Sequence, residues 1–250
     1  MSLADPLPSL VTRARVSFDD AIVRAPRIAD RSLACLLSPG SPSFEPFRVL
    51  RAKVKALGAR RPVRCLGLVS ATAHEGTSTV ALGLAAALAQ DPERRVLLVE
   101  TAVRAPALEK KLGLPAEPGL GAWLRDENVR RGPRRLGPWG FYLLPGGPPT
   151  PHTADLLSSD AMARLLGAAR QAFDFVLVDC PPLETVADSV ILQDVLDGFL
   201  LVVRARHASR DAIRRSLSHL KPERILGAVL NDRTEILSRW LDRRRPRAKS

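Results

Sequence analysis

Short apolar runs alternate with amphipathic stretches along most of this chain, and the two patterns predict different elements. Residues 63–70 (VRCLGLVS), 94–100 (RRVLLVE), 173–179 (FDFVLVD), 198–205 (GFLLVVRA) and 224–231 (RILGAVLN) are nearly continuous apolar segments of strand length. Strands buried on both faces read this way. A further strand is expected within WGFYLLPGG. Between them, Phe47, Leu50, Val54 and Leu57 fall three and four apart, which draws one apolar stripe along a helix. Other helices are expected over VALGLAAALAQ, near Pro106–Leu112, over SDAMARLLGAARQAF behind Ser159, near Ala187–Leu196, and over SRDAIRRSLSHL. Strand and helix alternate throughout. That order predicts an α/β fold, a mostly parallel β-sheet with helices on both faces, in three α/β/α layers.

Residues 1–41 mix Pro, Arg and Asp without sustained periodicity and read as a flexible arm; 42–241 form the domain, and 242–250 a basic tail. No internal repeat is visible. A length of 250 residues supports one large domain with a buried core. Cys35, Cys65 and Cys180 are odd in number and widely spaced, which argues for reduced thiols rather than a disulfide or zinc framework. No run of 18 apolar residues predicts a membrane span, so a cytoplasmic protein is expected. The net charge of +12 fits either a polyanionic partner or a solvated surplus of Arg.

The segment joining the first long strand to its helix, Ala71-Thr72-Ala73-His74-Glu75-Gly76-Thr77-Ser78, carries candidate chemistry. Its layout approaches G-x-x-x-x-G-K-[ST], in which backbone N–H groups and a helix N-terminus cradle phosphates. Gly76 permits the turn. Ser78 would either ligate Mg²⁺ or simply cap the helix. Thr77 stands where Lys would reach the β- and γ-phosphates. Asp179 ends a buried strand, where it would accept from nearby helix N–H groups. His74 is either a substitute cation or a solvated loop residue. Cys180 reads as a small buried residue. Glu45, Arg48 and Arg51 share one helix face, which by itself reads as a solvated charged face.

Taken together, these blocks resemble the CpsD/CapB type of bacterial tyrosine kinase (BY-kinase) from about Ser38 to Asn231. EPFRVLRAKV resembles the family's Glu-x-x-Arg-x-x-Arg helix. HEGTST lies where the family has GEGKST, and VLLVETAVRAP resembles the Walker A′ segment VLLIDADLRRP. FDFVLVDCPP resembles Walker B; LGLPAEPGLGAWL, LPGGPPTPHTADLLSS, DGFLLVVRA and LGAVLN match further blocks. The resemblance implies a P-loop NTPase fold related to MinD and ParA. It implies ATP and Mg²⁺ as cofactors, with His74, Glu75, Gly76, Thr77, Ser78, Thr79 and Asn231 at the nucleotide, Ser78 and Asp179 at the metal, and Glu100 and Asp179 as catalytic carboxylates. It also implies Glu45, Arg48 and Arg51 at an oligomer interface. The implied partners are the cytoplasmic segment of a membrane polysaccharide co-polymerase (Wzz-like), an active BY-kinase, and other subunits in a homo- or hetero-oligomer at the inner face of the membrane. No nucleic acid is expected.

The chain departs from the pattern where chemistry is concentrated. Thr77 replaces the Lys, Glu100 the first Walker A′ Asp, and Ala102 the second. Tyr142 is the only tyrosine, so the family's tyrosine-rich tail has no counterpart in these residues. A pseudokinase regulating capsular or exopolysaccharide export is therefore expected. Two alternatives remain open: an active tyrosine kinase or ATPase with rearranged residues, and a ParA/MinD-like ATPase binding DNA or membrane.

Overall fold

A computed structural model describes residues 22–23, 26, 28–60, 62–115, 118–125, 132–184 and 188–232. In chain order the elements are β1 (Ile22–Val23), α1 (Arg31–Leu36), α2 (Glu45–Arg60), β2 (Cys65–Ser70), α3 (Thr77–Leu88), β3 (Val96–Glu100), α4 (Leu108–Leu112) and α5 (Leu120–Arg125). Then come β4 (Arg134–Leu136), β5 (Tyr142–Leu144), α6 (Thr153–Leu157), α7 (Asp160–Ala172), β6 (Phe175–Asp179), α8 (Asp188–Ile191), β7 (Gly198–Arg204), α9 (Arg210–Leu217) and β8 (Ile225–Asn231).

The eight strands form one sheet in the order β1-β4-β5-β3-β6-β2-β7-β8. All neighbours are parallel except β4 and β5. The four apolar runs at the centre become β3, β6, β2 and β7, and each buries side chains on both faces. Two apolar clusters cover the two faces: one includes α2, α3 and α4 residues, the other α5, α7 and the region of α8. The expected layered architecture is therefore present.

Packing of α2 on α3 uses the stripe read from the sequence. A Cβ at Gly83 would lie 2.3 Å from the Phe47 ring, so only glycine lets the two helices approach this closely. Arg51 fastens the same contact. Its guanidinium donates to the Ala87 carbonyl at 3.0 Å and to Gln90 Oε1 at 3.2 Å, satisfying the carboxyl end of α3. Arg48 pairs with Glu45 at 2.9 Å and donates to the Pro39 carbonyl.

Three expectations change. The segment read as a loose arm holds α1, capped by Asp30, whose carboxylate accepts the Ser32 and Leu33 N–H groups. It buries Leu33, and Leu37 beyond it is also buried. Strand β4 was not expected; it is three residues long and begins with two arginines. The helix near Ala187–Leu196 is shorter, running as α8 and then a 3₁₀ turn over Leu192–Asp194. The basic tail lies outside the described residues.

Candidate nucleotide site

Parallel strands deliver their carboxyl ends to one edge, where open α/β sheets bind ligands. Adjacent strands β2, β6 and β3 end there at Ser70, Asp179 and Glu100, with Glu100 opposite Asp179 in register. The loop after β2 enters α3 on this edge. His74 and Gly76 have φ of 63° and 87°, the left-handed region that favours glycine. Gly76 has a second reason to be glycine: a Cβ there would sit 2.2 Å from Asn231 Nδ2.

Side chains remote in sequence hold the loop. Glu75 points inward and is 1% exposed. Its Oε1 accepts the Thr72 N–H and hydroxyl, each at 2.8 Å, and its Oε2 accepts the Arg204 N–H at 2.9 Å from the end of β7. Asn231 Nδ2 donates to the Glu75 carbonyl at 2.9 Å. Glu184 Oε1 accepts the Ala73 N–H at 2.9 Å, His207 Nε2 lies 2.8 Å from the Ala73 carbonyl, and the Ser216 hydroxyl donates to the Ala71 carbonyl. The cradle is thus preorganised by the protein itself.

Helix α3 opens from Gly76 with no side chain capping it. The N–H groups of its first turn, Thr77 to Thr79, form the anion-facing end. Thr77 is only 8% exposed and carries no charge, whereas Ser78 hydrogen-bonds to the Asp179 carboxylate. Asp179 is 2% exposed, and its Oδ2 is buried with no hydrogen-bond partner. Burial pushes its pKa up to about 7, against the Ser78 hydrogen bond; Glu100 adds to the rise and Lys111 opposes it. The Asp179 Oδ2 is thus a buried carboxylate oxygen left without a partner, on the sheet edge where α3 begins. Among the described residues no three His, Cys, Asp or Glu side chains come together as a metal site.

Glu100 is placed differently. Its Oε1 accepts the N–H groups of Ala107 at 2.6 Å and Leu108 at 3.0 Å, and Oε2 accepts Gly146 N–H at 2.9 Å. The longer side chain reaches back to tie α4 and the loop after β5 to the sheet. Burial raises its pKa, the three N–H groups oppose this, and Glu109 adds to the rise. Ala102 brings no ligand atom. Cys180 is buried, and burial raises its thiol pKa, which leaves it unreactive. Tyr142 is 6% exposed in β5.

The structure therefore gathers His74 to Thr79, Glu100, Asp179 and Asn231 on one edge. Glu75, Glu100 and Asn231 are engaged by the protein's own groups, while His74 is exposed. The motif reading missed Glu184, Arg204, His207 and Ser216. The edge rule offered one signal for Arg204 and His207, since β7 must end beside the loop.

Comparison with known proteins agrees with this geometry. A tyrosine-protein kinase of Bacillus subtilis, YwqD, is 29% identical over 204 residues, 80% of this chain and 86% of that protein. The solved kinase domain of Escherichia coli tyrosine kinase ETK superposes with a TM-score of 0.75 at 26% identity, over 82% of this chain and 81% of that one. The chain is a homologue of the bacterial tyrosine kinases. The succinoglycan biosynthesis transport protein ExoP of Rhizobium meliloti is 32% identical to this BY-kinase homologue over 206 residues, 78% of the chain but 25% of ExoP. A ParA family ATPase from Chlorobium tepidum, 20% identical with a TM-score of 0.51 over 72% of this chain and 80% of that one, shares the P-loop NTPase fold. No protein-family model matches the BY-kinase homologue.

Proposed function

We propose that this BY-kinase homologue is a pseudokinase that regulates capsular or exopolysaccharide export. It acts at the inner face of the cell membrane, through the cytoplasmic segment of a polysaccharide co-polymerase and in an oligomer with itself or an active kinase. The observation that carries this reading is the division of labour at the sheet edge. Support comes from the uncapped start of α3 and the unpartnered Oδ2 of Asp179, beside Thr77 and Ala102, which offer neither an ammonium nor a carboxylate.

Phosphoryl transfer is catalysed by positioning and charge stabilisation. The backbone N–H groups of Gly76 to Thr79 bind and orient anionic oxygens. Ser78 and Asp179 would hold Mg²⁺, which supplies charge neutralisation when bound. Thr77 offers a hydroxyl where an ammonium would stand, and Ala102 offers nothing. The Glu100 carboxylate already accepts three backbone N–H groups, so it serves the loops rather than an incoming hydroxyl. Losing one preorganised charge-stabilising group costs about 10²–10³ in rate. Nucleotide retention without efficient transfer follows, and it suits a regulatory subunit. The Glu45–Arg48 face of α2 is the surface for the oligomer contact, with Arg51 bracing it from within.

Deleting the gene in its host should change the amount or length of exported polysaccharide, measured by size-exclusion chromatography of the exported polymer. Restoring the intact gene should reverse the change. An unaltered polymer in the deletion strain would remove the export reading.

A further inference from the structure

Positive charge is spread unevenly along this chain. Residues 204–250 hold 14 of its 38 Lys and Arg but only 5 of its 26 Asp and Glu, so less than a fifth of the sequence carries +9 of the net +12. The fold brings the described part of that stretch to one side of the domain. It comprises the end of β7, helix α9 and β8, the last strand of the sheet on that side. Asn231 pairs in register with Arg204, so Asp232 stands beside the loop that leads into α9. The sequence then continues into the basic tail, with Arg243, Arg244, Arg245, Arg247 and Lys249.

The excess survives local pairing. Asp232 meets Arg204 at 2.8 Å, Asp211 meets Arg214 at 2.7 Å, and Asp194 meets Lys221 at 2.8 Å. Between Arg204 and Asp232 the one other carboxylate is Glu223, against Arg206, Arg210, Arg215 and Arg224. Arg210 and Arg215 are exposed on α9, with no carboxylate within ion-pairing distance among the described residues. Apolar groups are exposed on the same side. Leu230 is 53% exposed, and Ala228, two residues before it on the same face of β8, is exposed too. Leu230 pairs with Val203, which packs in the same apolar cluster as Ile213 and Leu217 of α9. In the tail sequence Ile236, Leu237, Trp240 and Leu241 precede the arginines.

We infer that this side of the domain docks directly on a bilayer surface of anionic phospholipid. A bilayer suits it better than a nucleic acid because the arginines come with apolar groups. Anionic headgroups take the guanidinium groups, while Leu230 and, in the tail, Trp240 supply apolar area to the headgroup boundary. Binding to a phosphate backbone would use the arginines alone. Each Lys or Arg at an anionic surface raises binding about fivefold, so no single one suffices. Arg210, Arg215 and the five tail cations together multiply to at most about 10⁵-fold. The attachment needs no membrane partner, and it does not depend on what the nucleotide site does.

The test is co-sedimentation of the full chain with protein-free phosphatidylcholine vesicles, with and without about 30% phosphatidylglycerol. Binding should require phosphatidylglycerol and weaken at least about tenfold between about 0.1 M and about 0.5 M salt. Arg210→Glu with Arg215→Glu should weaken it by about 25-fold or more, and Arg243→Glu with Arg244→Glu and Arg245→Glu by about 100-fold or more. Leu230→Ser should cost about fivefold and leave the salt dependence as it was. Lys53→Glu with Lys110→Glu, the same charge change on helices over the other face of the sheet, should leave binding within about twofold of the parent. Equal binding to the two kinds of vesicle, including none to either, would overturn the inference, and so would parental affinity in the α9 double variant. Binding to a DNA duplex of about 20 base pairs more tightly than to the vesicles at the same salt would also overturn it, marking a nucleic-acid surface. Because the vesicles carry no protein, such a failure leaves the co-polymerase reading standing.

Discussion

Glu75→Ala should destabilise the domain by about 4 kcal/mol, a large share of the roughly 5–15 kcal/mol by which such domains are stable. Glu75 is almost fully buried and its two oxygens serve three donors: the Thr72 N–H, the Thr72 hydroxyl and the Arg204 N–H. Alanine leaves all three part-buried donors without their acceptor, and a donor fully buried and so orphaned costs about 1–3 kcal/mol. Water entering the vacated space recovers part of that, which brings the total near the figure given. The loop also loses its tie to β7, so the Asn231 contact at the Glu75 carbonyl loosens with it. Glu75→Gln keeps one carbonyl oxygen and should cost about half as much. Urea unfolding followed by circular dichroism measures both. A Glu75→Ala midpoint within about 1 kcal/mol of the parent would show that the loop does not depend on this carboxylate.

The second large effect is a dependence of stability on pH that runs opposite to common acid denaturation. Burial lifts the Asp179 pKa to about 7 in the folded chain, from 3.8 for an unperturbed aspartate. Above about pH 4 the unfolded chain releases this proton while the folded chain keeps it. The contribution to stability is therefore full below about pH 4, is lost progressively as pH rises, and is gone above about pH 7. Between about pH 5 and about pH 8 the loss from this group is about 3 kcal/mol. Glu100, also raised by burial, adds in the same direction. The carboxylates held low, Asp174 and Asp197, act in the opposite sense and only at more acid pH. Unfolding free energies of the parent should thus fall across that range, and those of Asp179→Asn should be much flatter and higher at the alkaline end. Equal slopes in the two proteins would contradict the burial of Asp179 and the lack of a partner for its Oδ2.

Much of this architecture was legible because burial on both faces writes itself into sequence. VLLVE, FVLVD and FLLVV can hardly be anything but central parallel strands, and their order with the intervening helices led to the layered sheet. Local signals failed where elements were short. Strand β4 has three residues and two of them are arginines, so pairing with β5, not its own pattern, makes it a strand. Helix α1 has six residues and depends on the Asp30 cap and on burying Leu33.

The site divides in the same manner. The loop and Thr77 were visible from motif spacing and Asp179 from its place at a strand end, while Ala102 stood out only through the resemblance to the Walker A′ segment. The roles of Glu75 and Glu100 were not, because their partners lie at Arg204, Ala107, Leu108 and Gly146, far away along the chain or on the backbone. Glu100 shows why type is a poor guide to role. At this strand end the Glu100 carboxylate accepts three loop N–H groups. Arg51 makes the same point for the helix face, since its guanidinium turns toward the end of α3 rather than outward.

The claim underlying all of this is that the edge binds phosphates but cannot move them efficiently. It is tested most directly by the rate of phosphotyrosine formation on a glutamate–tyrosine copolymer, with purified chain, ATP and Mg²⁺, beside the Escherichia coli ETK kinase domain under identical conditions. The account predicts a rate lower by about 10²-fold or more. A rate equal to that of the ETK domain would contradict it.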